Sequence, residues 1–238
     1  MATTNIGPAR VSVVMAVKNG ERFIAQALDS VMTQTLAAHE IILVDGQSTD
    51  STVEIARRYT GLKIVEQRGT GIANAYNTGI KATTGEMVAF LSHDDLWASE
   101  KLSRQANALM DNPELGYVTA LAPFFLESGS ELPYGFRQEL LQGSHVAHIM
   151  ETLMARRNTF SAVGPFDESL STAEDVDWFS RAKDKAIPSA VVPHALLKKR
   201  IHGANISLDV ESNNRNLMQT IRQSVLRKRQ QAKLASRK

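Results

Sequence analysis

The 238-residue sequence has no cysteine, which excludes disulfides and thiolate metal sites and favours a reducing compartment. No apolar run approaches the ~20 residues that a membrane-spanning helix needs, and residues 1–10 lack the apolar core of a signal peptide. An apolar content of 43% and a charged content of 22% are ordinary for a globular protein. We therefore expect a cytoplasmic protein, long enough for one large α/β domain or two small ones.

The positive charge of the chain is concentrated at its carboxyl end. Residues 215–238 contain eight Lys or Arg and no acid, and subtracting these charges from the net +2 leaves −6 for residues 1–214. The acidic body argues against nucleic acid as a partner. In the basic segment, apolar residues recur at near-helical spacing, at Leu217, Ile221, Val225 and Leu226.

This basic segment has several interpretations. It suits an amphipathic helix on anionic lipid, which would make the protein membrane-peripheral, or a helix docked on the body or on an acidic partner. A frayed, solvated terminus is an equally good interpretation. A homodimer is a further expectation for the whole chain.

Four short apolar runs in the amino-terminal half predict buried strands, at 11–17, 41–44, 62–65 and 87–91. Segments with helical spacing separate these runs, and such alternation is typical of βαβ units and a parallel sheet. Because parallel strands end at the same edge, Ala16–Asn19, Asp45 and Asp94–Asp95 should converge on one rim. The convergence predicts a nucleotide-type crevice.

Two common phosphate-binding loops are absent. The first strand is followed by Gly20 but not by Gly-x-Gly-x-x-Gly, and the chain has no Gly-x-x-x-x-Gly-Lys-Ser/Thr. A bound nucleotide would then need a metal ion to neutralise its phosphates, and the adjacent carboxylates of Asp94 and Asp95 are the candidate ligands. The alternative is a turn in which either acid caps a helix starting near Ala98.

The second half of the chain is less regular. We expect a helix from Thr172 to about Lys185, with three acids in its first turn that could simply complement the helix dipole. The other expected elements are a strand over 116–125, a polar loop over 128–143, a short strand over 152–155 and a last strand over 191–197.

Four blocks of the sequence together resemble the family-2 glycosyltransferases, which have the nucleotide-sugar-binding fold called GT-A. The blocks are 13–21, 42–52, 71–85 with 90–97, and 166–168 with 174–178. The resemblance implies an α/β fold with a central, mostly parallel mixed sheet and helices on both faces. It also implies a single domain over 1–214, with a nucleotide-binding half at about 10–97, an acceptor-binding half at about 98–210, and a basic tail or helix over 215–238.

The resemblance further implies an inverting transfer of a sugar from a nucleoside diphosphate sugar, with UDP favoured. Ala16, Val17 and Glu21 would lie beside the base and ribose. Asp45 would accept a hydrogen bond from the nucleobase, with a plain strand-end turn as the alternative. Asn74 would face the nucleotide from the start of its helix.

The same resemblance assigns the metal and diphosphate contacts. Asp94 would hold the ribose or the metal's hydration shell, and Asp95 would ligate Mg²⁺ or Mn²⁺ bridging the two phosphates. His202 would supply a second metal or diphosphate contact, and a structural histidine is the alternative. Arg200, beside it, would contact the acceptor or the donor sugar.

Asp175 matches the general base of the family, which takes the proton of the attacking acceptor hydroxyl. A helix cap is the alternative role for this residue. Glu174 would contact hydroxyls of the acceptor or donor. Trp178 would either form the floor of the sugar site or pack in the core.

The sequence departs from the family pattern at several positions. Ser92 stands where the first Asp of the Asp-x-Asp signature is usual, Tyr76 replaces a frequent Arg, and Lys18 replaces an aromatic. Arg68 could restore the missing positive charge. These departures keep open a catalytically silent nucleotide-sugar-binding module of the same fold.

The acceptor has no readable signature in the sequence. A small molecule, a glycan, a lipid head group and a peptide are all consistent with it. A nucleotidyltransferase that forms sugar nucleotides is disfavoured, because the Gly-rich loop with Arg that it needs after the first strand is missing.

Overall fold

The apolar runs of the sequence form strands, and the segments between them form helices. The computed structural model describes residues 9–133, 136–203, 205 and 210–235. Residues 1–8, 134–135, 204, 206–209 and 236–238 lie outside this description, and with them the leader and parts of the expected polar loop and basic tail.

Eleven strands and seven α-helices lie within the described residues. The strands are β1 (Val11–Val17), β2 (Glu40–Asp45), β3 (Leu62–Glu66), β4 (Met87–Ser92), β5 (Leu96–Trp97), β6 (Tyr117–Ala122), β7 (Phe124–Leu126), β8 (His145–Ala147), β9 (Met154–Arg156), β10 (Ser189–Ala195) and β11 (Leu197–Ile201). The helices are α1 (Ile24–Met32), α2 (Thr52–Ala56), α3 (Gly71–Ala82), α4 (Lys101–Asp111), α5 (Arg157–Val163), α6 (Glu174–Asp184) and α7 (Val210–Ala235).

The central sheet has the order β10-β6-β9-β4-β1-β2-β3, with β8 added to β6. Strands β1 to β4 pair in parallel, β10 is parallel to β6, and β9 runs antiparallel to both of its neighbours. A second, three-stranded sheet has the order β5-β11-β7. The expected mostly parallel mixed sheet is confirmed.

The two faces of the sheet pack against different helices. All seven residues of β1 are buried, as expected for a strand covered on both sides. Val13 packs in a cluster with Leu28 of α1 and Leu102 of α4. Val14, on the other face, packs with Tyr76 of α3 and Trp178 of α6. Alternate residues of one strand thus contribute to two cores, with helices on both faces of the sheet.

Proline and a short extra strand explain where the structure departs from the expected elements. The expected strand over 116–125 divides into β6 and β7 at Pro123, which has no N–H to donate to a ladder. The expected last strand is also two strands, β10 and β11, which lie in different sheets. The helix expected near Ala98 begins at Lys101, because β5 intervenes and pairs with β11.

The basic segment is largely helical in the described residues. Helix α7 packs along α6 through polar contacts, among them an ion pair between Arg227 and Asp184 with Nε–Oδ2 at 2.9 Å. None of the helices in the described part of the chain is both long and apolar enough to cross a membrane.

Candidate active site

The carboxyl ends of three neighbouring parallel strands meet at one rim of the sheet, as predicted. In the strand register, Val17 at the end of β1 lies beside Asp45 at the end of β2. Ala16 lies beside Ser92 at the end of β4, and Asp94 follows two residues later. The structure therefore brings together Ala16, Val17, Asp45 and Asp94.

Hydrogen bonds join the loops that follow β1 and β2. The Asn19 N–H donates to Ser48 Oγ at 2.9 Å, and Glu21 Oε2 accepts from the Ser51 N–H at 3.0 Å. The carboxylate of Glu21 thus holds two rim loops together, which is a structural task that the sequence did not indicate. Arg68, beyond the end of β3, is exposed.

The loop after β1 also touches the loop after β4. A Cβ added to Gly20 would lie 2.6 Å from Cδ2 of the His93 ring, closer than real side chains approach. Only glycine allows the two loops this contact. Burial of the His93 ring lowers its pKa, which favours the neutral imidazole.

Asp94 lies at the centre of the rim with one carboxylate oxygen held by the protein. Its Oδ2 lies 3.0 Å from Nε2 of His202 and accepts from Nδ2 of Asn205 at 3.2 Å. Burial opposes ionisation, but the His202 hydrogen bond and the charge of Lys199 hold the pKa of Asp94 well below its usual range. Asp94 is therefore a carboxylate at neutral pH.

Asp94 and His202 form the one carboxylate–imidazole pair at this rim within the described residues. No group of three or more His, Cys, Asp or Glu in the described part of the chain could hold a metal by itself. Two protein ligands nevertheless suit a divalent cation whose other positions are filled by substrate phosphates and water. The other carboxylate oxygen of Asp94 accepts no hydrogen bond from a described residue, which leaves it open to such a cation.

Asp95 has a different environment from the one the sequence suggested. It is fully buried, its Oδ2 is 2.8 Å from the ammonium nitrogen of Lys199, and its Oδ1 accepts from the Arg200 N–H at 2.9 Å. Both oxygens are used by the protein, so the geometry argues against the metal contact expected for Asp95. The capping alternative is wrong for both acids, because Glu100 occupies the N-cap position of α4.

Lys199 and Glu151 are the two site residues that sequence reasoning missed. Lys199 Nζ lies 3.2 Å from Glu151 Oε1, and the same oxygen accepts a short hydrogen bond from Ser92. Although burial opposes its charge, the carboxylates of Asp95 and Glu151 raise the pKa of Lys199 well above its usual value. Ser92, where the family usually has an acid, therefore joins an internal ion-pair network.

The second acidic pair lies at the start of α6. Burial and the charge of Asp175 raise the pKa of Glu174 to about 8, and burial and the charge of Glu151 raise that of Asp175 to about 6. Lys199 lowers the pKa of both acids, as it does for Asp94. The two acidic pairs therefore lie within electrostatic range of the same ammonium group.

Asn74 joins the start of α3 to another of the four sequence blocks. Its Nδ2 donates to Glu168 Oε2 at 2.9 Å, and Asn77 donates to the other oxygen of Glu168 at 2.8 Å. The side-chain amide oxygen Oδ1 of Asn74 is buried and has no hydrogen-bond partner among the described residues. The Asn74 side chain thus keeps one acceptor that no described residue uses.

Two predicted site residues are turned into the protein. Trp178 is fully buried, with its ring centroid 5.5 Å from that of Tyr117, so it packs in the core and does not floor a sugar site. Arg200 is 3% exposed and donates to the carbonyl oxygen of Asp94 at 2.7 Å and to Gln26 Oε1 at 2.7 Å. The Arg200 side chain thus supports the backbone beneath Asp94, and its expected contact with the acceptor or donor sugar stays a prediction.

Tyr76, the other departure from the family pattern, fills the apolar core beneath the site. Its ring centroid lies 5.1 Å from that of Phe90 and 5.4 Å from that of Phe166. Burial raises the pKa of the phenol well above its usual value, so a neutral group stands where a cation is frequent.

Comparisons with known proteins identify the family and the fold of the chain. The family model described as glycosyl transferase family 2 matches residues 12–166, more than half of the chain. A protein of Rickettsia typhi named "Uncharacterized glycosyltransferase RT0329" is 32% identical over 211 residues, which cover 82% of this chain and 64% of that protein. The chain thus spans less than two thirds of this relative.

Solved structures show the same fold at lower identity. Staphylococcus aureus TarS, residues 1–349 in complex with UDP, is 24% identical with a TM-score of 0.65, covering 81% of this chain and 60% of that one. Mycobacterium tuberculosis glucosyl-3-phosphoglycerate synthase, in complex with Mn²⁺, UDP and phosphoglyceric acid, is 18% identical with a TM-score of 0.68, covering 91% and 78%. The GT-A fold expected from the sequence is confirmed, and the chain belongs to glycosyl transferase family 2.

Proposed function

We propose that the chain is an inverting glycosyltransferase that moves a sugar from a nucleoside diphosphate sugar, preferably a UDP sugar, to an acceptor nucleophile. The observation that carries this proposal is the pairing of Asp94 with His202 at the rim of the sheet, within range of the Glu174–Asp175 pair through Lys199. The UDP complexes of TarS and of the mycobacterial synthase support the donor class.

We assign the divalent cation, Mg²⁺ or Mn²⁺, to Asp94 and His202, not to Asp95. Asp94 is ionised and has one oxygen without a hydrogen bond from a described residue, while both oxygens of Asp95 are bonded. When bound, the cation would neutralise charge on the diphosphate leaving group. The Mn²⁺ complexes of the mycobacterial synthase and of the Pyrobaculum calidifontis mannosyltransferase PcManGT support this assignment.

Asp175 is the general base in this proposal. With a pKa of about 6, its carboxylate is mostly ionised at neutral pH and still basic enough to accept the proton of an acceptor hydroxyl. Glu174, with a pKa of about 8, is mostly protonated at neutral pH. A neutral Glu174 can donate a hydrogen bond to a sugar hydroxyl while Asp175 removes the proton.

The remaining rim residues bind the nucleotide. The ends of β1 and β2 place Val17 and Asp45 beside each other, where a base and ribose can lie against the sheet edge. Asn74 offers its unused side-chain oxygen to a donor group, and the exposed Arg68 supplies positive charge. The acceptor would then approach from the half of the chain after residue 98, in a cytoplasmic setting that the absence of cysteine supports.

Donor turnover distinguishes this function from a silent binding module, which Ser92 and Tyr76 keep as the second candidate. We expect slow UDP release from UDP-glucose or UDP-GlcNAc with Mn²⁺, water acting as acceptor, and loss of that release in Asp94→Asn. Metal-dependent UDP binding without release from any UDP sugar would favour the silent module.

A further inference from the structure

Helix α7 packs on the body with its polar side. Asn216 and Thr220 are 7% and 2% exposed, and Asn216 Nδ2 donates to Thr172 Oγ1 at 3.0 Å. One and two turns further on, Ser224 and Arg227 bond to the carboxylate of Asp184. Because these positions recur every three or four residues, they define one face of the helix.

The opposite face of α7 is an apolar stripe that points away from the body. At about 100° per residue, Met218, Ile221 and Val225 lie on the side away from Asn216 and Thr220, and Leu217 lies at the border of the packed face. Their exposed fractions are 39%, 52%, 48% and 44% for Leu217, Met218, Ile221 and Val225. The helix is therefore amphipathic with its apolar side outward, the reverse of a helix that packs on its own core.

A row of basic residues runs along one edge of this apolar stripe. Its members are separated by seven, seven and four residues, which places them on one line along the helix, and they are Arg215, Arg222, Arg229 and Lys233. All four are exposed. Residues 1–214 carry a net negative charge, so this row is the positive surface of an otherwise acidic protein.

We propose that the outward face of α7 binds an anionic lipid bilayer. An apolar stripe bordered by Arg and Lys is the pattern of helices that lie in a membrane interface, with apolar side chains among the acyl chains and basic ones at the head groups. An acidic soluble partner would use the basic row but leave the stripe exposed. A second copy of the chain would cover the stripe but bring two basic rows together.

The contacts that attach α7 to the body lie next to the proposed active site. Asn216 bonds to Thr172, two residues before Glu174, so α7 lies directly beside the segment that carries the proposed base. If the proposed function is correct, a bilayer on α7 would hold the acceptor side of the site near the membrane. Among the acceptors that the sequence keeps open, this placement favours one carried by a lipid.

The test is co-sedimentation of the full chain with vesicles of phosphatidylcholine alone and of phosphatidylcholine mixed with phosphatidylglycerol. We expect binding to the anionic vesicles, weakened by added salt. Arg222→Gln with Arg229→Gln should reduce it roughly 25-fold, since each basic residue near an anionic surface contributes about fivefold. Ile221→Ser with Val225→Ser should reduce it by more than about tenfold. Gln219→Ala with Gln230→Ala, on exposed polar positions of the same helix, is the matched control and should bind as the wild type does.

A second measurement reports insertion directly. Because the chain has no cysteine, Val225→Cys gives a single site for an environment-sensitive dye, whose emission should shift to the blue on anionic vesicles. Failure of the wild type to bind anionic vesicles would overturn the proposal, as would equal binding to neutral ones. A dimer in solution that the stripe variants convert to monomer, with no vesicle binding, would instead assign the face to a second copy. UDP binding by the same variants is a separate readout and should not change.

Discussion

Two pairs of adjacent acids face the same site in opposite surroundings. Asp94 and Asp95 are each bonded to a basic side chain, His202 at 3.0 Å and Lys199 at 2.8 Å. Glu174 and Asp175 have no such bond among the described residues, and Asp175 accepts only from the neighbouring Val176 N–H, at 2.6 Å.

The difference shows how the fold separates two tasks that use the same chemical group. Of the bonded pair, Asp94 has a lowered pKa and stays charged, which suits a ligand of a cation, whereas burial raises the pKa of Asp95 to about 7. The unpaired Glu174 and Asp175 have raised pKa values, which suits groups that exchange protons. Pairs of carboxyl groups whose environments move their pKa values apart are a recurrent basis for acid and base assignments.

The largest expected effect comes from removing the base. Asp175→Asn should lower UDP release from a UDP sugar by about 10²- to 10⁴-fold, because a positioned base contributes that much, while UDP binding is unchanged. Asp111→Asn, at the exposed end of α4, is the matched control. Unaltered turnover in Asp175→Asn would move the base to Glu174 or elsewhere.

The next effect distinguishes the two members of the first pair. Asp95→Asn should destabilise the fold by about 3 kcal/mol, because it removes one partner of the buried Lys199 ion pair, and should leave the response of UDP binding to Mn²⁺ in place. Urea unfolding measures the first quantity and calorimetry the second. If Asp95→Asn has the free energy of unfolding of the wild type but its UDP binding no longer responds to Mn²⁺, the metal ligand is Asp95.

The pH dependence of turnover follows from the raised pKa of Asp175. The base acts when ionised, so the rate should fall about tenfold for each pH unit below about pH 6. It should also fall above about pH 8, where Glu174 loses the proton that it donates to a sugar hydroxyl. The measurement is kcat/KM for UDP release between pH 4.5 and 9. An acid limb near pH 4, the ordinary range of an exposed carboxyl group, would show that the base is not a buried acid.

The smallest effect concerns stability. Because the pKa of Glu174 is raised to about 8 in the fold, its stabilising contribution is complete below its ordinary pKa and is lost as pH rises through about 8. Glu174→Gln removes this titration, so its Tm at pH 9 should exceed that of the wild type by a few degrees. Equal Tm values for the two proteins at pH 6 and pH 9 would contradict the buried, proton-binding Glu174.

The rim could be predicted from the sequence because its parts are local. Apolar runs of four to seven residues such as 87–91 fix the strands, and parallel pairing then fixes where Asp45 and Asp94 lie. The same logic gave the position of the Glu174–Asp175 pair at a helix start. No comparison with distant parts of the chain was needed for either inference.

The partners of these acids could not be predicted in this way. Lys199 meets Asp95 from 104 residues further along the chain, and Glu151 meets Ser92 from 59 residues away. The Lys199 contact depends on how β11 enters the second sheet, which the expected strand over 191–197 does not indicate, and the Glu151 contact depends on the turn Met150–Thr152. The sequence therefore indicates the Asp94–Asp95 pair but not which of the two carboxylates the protein itself binds through Lys199 and the Arg200 N–H.

The most direct test of the account is calorimetric binding of UDP, GDP, TDP and CDP, each with and without Mn²⁺, to the wild type and to Asp94→Asn. We expect UDP to bind most tightly, only with Mn²⁺, and roughly 100-fold more weakly in Asp94→Asn. Binding of no nucleotide, or UDP binding that neither Mn²⁺ nor Asp94→Asn alters, would contradict the account.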